Sequence, residues 1–321
     1  MSDSLPIVDI SPLATGGRHA LAAVAESLGK AARGAGFFYL VGHGIDPSLV
    51  SAVFRESVRF FGLPEAEKSK QSIARSRHNR GYISMRGESL DPSKAADLKE
   101  AFNIGLDLSP RDSRVIAGEP FRGVNLWPDL GGWRETMLTY FNAAWSVGRD
   151  LHRAIAVDLG LNPGFFDNKL DQPMATLRLL HYPPQPDTAA AGQIGAGEHT
   201  DYGDITLLLT DSAGGLEVKR RDGDWTPAPT IPGAFICNIG DCLMRWTNDI
   251  YVSTPHRVVN KGERHRYSVA FFLDPNPDAI VACLPTCMSD TRPPRYPPIS
   301  GADYLRERLD ATYSFRAAST G

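Results

Sequence analysis

The segment GEHTDYGDITLLL places His199 and Asp201 two residues apart. In an extended backbone, residues i and i+2 point to the same face, so an imidazole and a carboxylate converge on one point. The segment STPHRVVN offers a further imidazole, His256, fifty-five residues after Asp201. Two histidines and one carboxylate form the facial triad that holds non-haem Fe(II) and leaves three octahedral positions open. A zinc hydrolase draws on the same ligand types, so these three residues by themselves leave iron and zinc open.

The run RHRYSVAFF narrows the choice. Arg266 and Ser268 follow His256 by ten and twelve residues and share one strand face by alternation. A guanidinium pairs bidentately with a carboxylate, and a serine hydroxyl adds one more hydrogen bond. A dicarboxylate held in this way can chelate iron with its other end. A zinc hydrolase has no need of such an anchor.

These side chains require a rigid frame. From residue 175 onward, short β-rich runs alternate with Gly, Pro and Asp turns. The pattern predicts strands at Thr176–Tyr182, Thr206–Leu209, Gly215–Lys219, Ala234–Ile239, Leu243–Trp246, His256–Val259 and Tyr267–Leu273. Short strands at even spacing argue for a sandwich or jelly roll. Earlier in the chain, apolar residues at helical spacing predict helices over 18–33, 47–61 and 132–160. The last carries Met137, Phe141, Ala144, Leu151 and His152 on one face, which makes it a scaffold helix and His152 a core histidine. Pro6–Ile10 and Phe37–Val41 read as strands, and 302–309 as a short final helix. The charged stretch from Glu65 to Leu98 reads as an exposed loop region or lid.

Bulk properties exclude several function classes. A chain of 321 residues buries a sizeable core without disulfides or a structural metal, so a bound metal would serve chemistry. A net charge of -3 provides no general basic field for nucleic acid or an anionic membrane. Four cysteines are too sparse for a disulfide scaffold and fit reduced thiols. The start MSDSLPIVDISPL lacks a basic n-region and a long apolar run, and no later stretch nears the roughly 20 apolar residues of a membrane helix. The expectation is a soluble, cytoplasmic protein.

Four segments in order resemble the isopenicillin N synthase-like branch of the Fe(II)/2-oxoglutarate dioxygenases. They are PIVDISPL through GFFYLVGHGI, HTDYGDITLLLTDSAGGLEV, NIGDCLMRWTNDIYVSTPHRVVN and RYSVAFF. The resemblance implies a mainly β fold with flanking helices, a cupin-like jelly roll or double-stranded β-helix. It implies an N-terminal module over 1–115 packed on a catalytic core over 116–321, forming one compact unit. His199, Asp201 and His256 would be iron ligands. Arg266 and Ser268 would hold the distal carboxylate of 2-oxoglutarate, with Tyr182 beside it. Many plant members carry Asn two residues before that tyrosine; here the position is Leu180, which removes one polar contact.

The implied cofactors are Fe(II), 2-oxoglutarate and O2. The implied activity is oxidation of a small molecule, chiefly hydroxylation, with release of succinate and CO2 and no catalytic side chain beyond the metal centre. Arg178, Asn103, Arg80, Tyr82 and Phe272 are candidate substrate contacts, and several arginines near one pocket favour a substrate carboxylate. The alternatives are an iron oxidase of the isopenicillin N synthase type, which needs no 2-oxoglutarate, and a non-catalytic metal-binding jelly-roll protein.

Overall fold

The structure is a computed structural model that describes residues 4–88, 97–184, 195–259 and 264–312. Twelve strands build two facing sheets. In chain order they are β1 (Ile7–Asp9), β2 (Phe37–Val41), β3 (Gly81–Ile83), β4 (Glu100–Gly105), β5 (Thr176–Tyr182), β6 (Ala196–His199), β7 (Ile205–Thr210), β8 (Leu216–Lys219), β9 (Trp225–Pro227), β10 (Phe235–Ile239), β11 (His256–Val258) and β12 (Arg266–Leu273). The major sheet runs β1-β2-β10-β7-β12-β5-β4-β3, and the minor sheet β6-β11-β8-β9. Strands from the first 105 residues form both edges of the major sheet. This is the double-stranded β-helix expected from the sequence.

Strand alternation sorts the major sheet into an outer and an inner face. On β12, Val269, Phe271 and Leu273 point outward, where Phe271 meets Phe141 edge-on at 5.1 Å. Phe141 belongs to the scaffold helix Trp133–Asp158, whose Met137, Tyr140, Ala144, Leu151 and Ile155 are also buried. Each large apolar side chain removed from water here contributes about 1.5–3 kcal/mol. The helix lies close to the sheet because residue 148 is glycine: a Cβ there would sit 2.6 Å from Leu273 Cδ2. His152 is buried on this helix face, as expected, with Nδ1 on the carbonyl of Gly148 at 2.8 Å.

The inner face carries a different set. Cross-strand register aligns Asn103 with Arg178 and Ala270, and Ala101 with Leu180 and Ser268. The next rows hold Gly105, Thr176 and Phe272 at one end, and Tyr182 opposite Arg266 at the other. This face looks across to the minor sheet.

Two expectations need correction. Leu243–Trp246 is not a strand but lies in the helix Asp241–Trp246. Leu243 and Trp246 are both buried, and their spacing of three puts them on one helix face, whereas a strand would turn them to opposite faces. The stretch 65–98 is not simply an exposed lid. It includes a short helix, Glu65–Ser69, and strand β3, and it buries Lys68, Arg80, Tyr82, Glu88 and Asp97. All of these but Arg80, whose Nε is buried without a partner, pair in the interior: Lys68 Nζ meets Glu100 at 2.6 Å, and Tyr82 donates to Glu65 at 2.9 Å. Residues 89–96 of the stretch lie outside the described residues.

Candidate metal centre and cosubstrate site

The two imidazoles come together through strand pairing. β11 runs antiparallel to β6, with His256 directly opposite His199. Their ring centroids are 4.3 Å apart. Asp201 lies two residues beyond the end of β6, where the chain leaves the strand and bends at 202–204. The backbone N–H of Asp241 donates to the Asp201 carbonyl at 2.8 Å and holds that bend. Gly240 is required beneath it, since a Cβ would fall 2.2 Å from the Gly203 carbonyl oxygen. Asp201 Oδ1 lies 3.8 Å from His199 Nε2 and 3.6 Å from His256 Nε2. One ligand atom from each residue lies within 4.8 Å of the others.

Surrounding groups set the chemical state of this cluster. His199 Nδ1 faces the Gly197 carbonyl at 2.7 Å, and His256 Nδ1 faces the Thr254 carbonyl at 3.3 Å. A carbonyl only accepts, so each Nδ1 carries a proton and each Nε2 points to the shared centre. Burial, with His256 alongside, lowers the His199 pKa to about 3, so this ring is neutral at pH 7. Burial opposes ionisation of Asp201, but both imidazoles, Thr206 and Asn238 outweigh it and keep the carboxyl below its ordinary range. Asp201 Oδ2 accepts from Thr206 Oγ1 at 2.5 Å and from Asn238 Nδ2 at 2.7 Å, which leaves Oδ1 for the centre. Phe37 packs edge-on against His256 at 5.2 Å. Two imidazoles and one carboxylate with their ligand atoms converging suit a divalent transition metal.

Thr206 and Asn238 were not singled out from the sequence. The available signal was a polar residue inside the apolar strand FICNI, aligned with Thr206 across β10 and β7.

A cavity between the sheets is lined by the triad together with Arg266, Ser268, Tyr182, Arg178, Asn103 and Phe272. Arg266 is 1% exposed. Its Nε donates to the Gly214 carbonyl at 2.7 Å and its Nη1 to Ser268 Oγ at 3.3 Å, and its guanidinium lies over the Tyr182 ring at 4.7 Å. Among the described residues it has no carboxylate partner. Arg178 pairs with Glu88. Lys99, also on the wall, meets Glu88 at 3.1 Å and Asp97 at 2.9 Å. Asp274, on the same wall, has its pKa raised to about 8 by burial and by Asp204 and Asp201.

Two expected substrate contacts lie elsewhere. Tyr82 packs in the core against Phe60, with its hydroxyl on Glu100 and Glu65. Arg80 is buried over Gly105 at the end of the inner face and is not among the residues that line the cavity. On an edge strand bordered by helices, alternation could not tell which face met the cavity.

Residues 5–130 match the N-terminal region of non-haem dioxygenases of morphine synthesis, and residues 173–275 match the 2OG-Fe(II) oxygenase superfamily. A 2-oxoglutarate-Fe(II) type oxidoreductase of Emericella nidulans is 37% identical over 314 residues, covering 96% of this chain and 90% of the relative. The chain belongs to the 2OG-Fe(II) oxygenase superfamily.

The oxygenase also superposes on solved structures. A Neurospora crassa protein, solved at full length in complex with alpha-KG and thymine, is 34% identical with a TM-score of 0.84, covering 96% of each chain. A 2OG-Fe(II) oxygenase family protein from Caulobacter crescentus is 32% identical with a TM-score of 0.84, covering 97% of this chain and 99% of that one. The oxygenase is thus an oxidoreductase that uses Fe(II), 2-oxoglutarate and O2. Among the described residues, no helix is long and apolar enough to cross a membrane.

Proposed function

We propose that His199, Asp201 and His256 hold the Fe(II), and that Arg266 and Ser268 anchor the distal carboxylate of 2-oxoglutarate beside Tyr182. The observation that carries this reading is Arg266, a buried cation on the triad's cavity with no carboxylate partner among the described residues. A buried charge without a counter-ion is costly, and a dicarboxylate supplies one. The oxidase alternative, which takes no 2-oxoglutarate, leaves that cation unanswered.

Fe(II), when bound, supplies the redox chemistry by which O2 and 2-oxoglutarate yield succinate and CO2 while one oxygen atom enters a substrate C–H bond. The protein does the rest. Asn238 and Thr206 hold Asp201 with one oxygen turned inward, and the Gly197 and Thr254 carbonyls orient both rings through Nδ1 so that each Nε2 faces the centre. Arg266, pinned by Gly214 and Ser268, orients the cosubstrate before reaction. The Leu180, Ala270 and Phe272 side chains on the wall exclude water.

The substrate in this reading is a small molecule that meets Arg178, Asn103 and Phe272. The Neurospora crassa protein, in the complex described above, binds thymine. The expectation of a substrate carboxylate rested on arginines; Glu88 already pairs with Arg178, and Arg80 and Tyr82 lie off the wall. Four free cysteines support work in a reducing, cytoplasmic compartment, and the division near residue 115 is kept as a proposed module boundary.

Metal removal tests the assembled site. Calorimetric titration of 2-oxoglutarate into chelator-stripped and Mn(II)-loaded protein is expected to show affinity lower by about tenfold or more without metal, since one end of the ligand loses its partner. Equal affinity in both forms would mean that the cosubstrate does not bridge the triad and Arg266. Asn238→Ala is expected to weaken metal binding by about 10–100-fold, measured by competition with a chelator. Wild-type metal affinity in that variant would remove Asn238 from its role in holding Asp201.

A further inference from the structure

Asn103 stands at the centre of β4 on the inner face and lines the cavity, yet it is only 1% exposed. Neither its Oδ1 nor its Nδ2 has a hydrogen-bond partner among the described residues. Buried amides are almost always paired, and leaving both ends unpaired is costly. Asn79 lines the same cavity, and its Oδ1 is likewise buried without a partner. Asn79 lies two residues before Gly81, which faces Asn103 across β3 and β4. Three unanswered polar atoms therefore share one stretch of wall, two acceptors and one amide donor.

The charges that line the cavity beside them are already matched. Arg178, directly opposite Asn103 in the sheet, pairs with Glu88, and Lys99 pairs with Glu88 and Asp97. Arg266, assigned to the cosubstrate, lies six residues along β12 from Phe272, which faces the same cavity. An anionic substrate would find acceptors at Asn103 and Asn79 and, Arg266 apart, no cation without a carboxylate partner among the residues that line the cavity; Arg80, which has no such partner, is not one of them. A neutral group that offers N–H and C=O side by side answers both ends of Asn103 at once.

Resting on the site reading above, we propose that Asn103 selects substrates carrying a neutral cyclic amide, a ring –NH–C(=O)– unit, through a paired hydrogen bond to its Oδ1 and Nδ2. The same wall rejects carboxylates, because a carboxylate only accepts and would set oxygen against Asn103 Oδ1. Asn79 Oδ1 adds an acceptor for a further ring N–H. Phe272 and Tyr202, both on the cavity, offer aromatic faces for a flat ring.

The test uses the full chain loaded with Mn(II) and 2-oxoglutarate, so that binding is read without turnover. Calorimetric titrations would compare uracil and 2-pyridone with N-methyl-2-pyridone, which lacks the donor, and with benzoate, which is anionic. The cyclic amides are expected to bind about tenfold or more tightly than either control. Asn103→Leu is expected to erase that preference, and Asn103→Asp, which keeps the shape but exchanges the donor for a second acceptor, to reduce it. Both variants should bind 2-oxoglutarate as the wild type does, which also reports that they fold. Benzoate or the N-methyl compound binding as well as 2-pyridone, a preference that survives both variants, or no cyclic amide binding at millimolar concentration would each overturn the proposal. Loss of 2-oxoglutarate binding in wild-type protein would instead strike the site reading beneath it.

Discussion

Asp201→Ala is expected to abolish turnover and metal binding together. The variant leaves two imidazoles facing each other across 4.3 Å between centroids, with no anion to offset a divalent charge. Removal of the carboxylate also strips Thr206 and Asn238 of their shared acceptor, at about 1–3 kcal/mol for each buried group left unpaired. The fold should survive, because the bend is held through the Asp201 backbone by Asp241 and by the close pack of Gly240 on Gly203. Succinate release should fall by on the order of a thousandfold or more, and metal titration should show no tight site, given how far ligand geometry controls such centres. A variant that bound one metal ion tightly and released succinate at the ordinary rate would end the assignment of Asp201.

Arg266→Ala carries the second large effect, and it separates cosubstrate from metal. Breaking one side of a buried charge pair costs about 3–5 kcal/mol, which corresponds to a rise of roughly a hundredfold to several thousandfold in the 2-oxoglutarate concentration required. Metal affinity should hold, because Arg266 contacts Gly214, Ser268 and Tyr182 and none of the triad. Arg266→Lys should recover only part of the loss: a lysine keeps the charge but lacks the planar fork and its stacking on Tyr182. The measurement is succinate release against 2-oxoglutarate concentration at saturating metal. An unchanged concentration dependence would place the cosubstrate elsewhere in the cavity.

Much of this site was legible as spacing. His199 and Asp201 by proximity, His256 by its β context, and Arg266 with Ser268 by alternation all meet one cavity. Strand β5 and the scaffold helix also stand where their periodicity placed them, because a long apolar face has one way to be buried. The short run Leu243–Trp246 misled, since four residues are too few for periodicity to separate a helix from a strand. The charged stretch 65–98 misled for another reason. Charge in a sequence signals water unless a partner is known, and the partners of Lys68 and Glu88 lie on later strands.

What the chain alone determined was chemistry: which side chains can bind iron, which can hold a dicarboxylate, and which periodicities build a β frame around them. Those are properties of residue type and near-neighbour geometry. What tertiary structure decided was which groups are already spent. Glu88 neutralises Arg178, Asn238 takes one oxygen of Asp201, and among the described residues Arg266 has no carboxylate partner and the Asn103 amide no hydrogen-bond partner. Pairing between residues tens of positions apart depends on how strands register and sheets face each other, and no local pattern in the sequence encodes it.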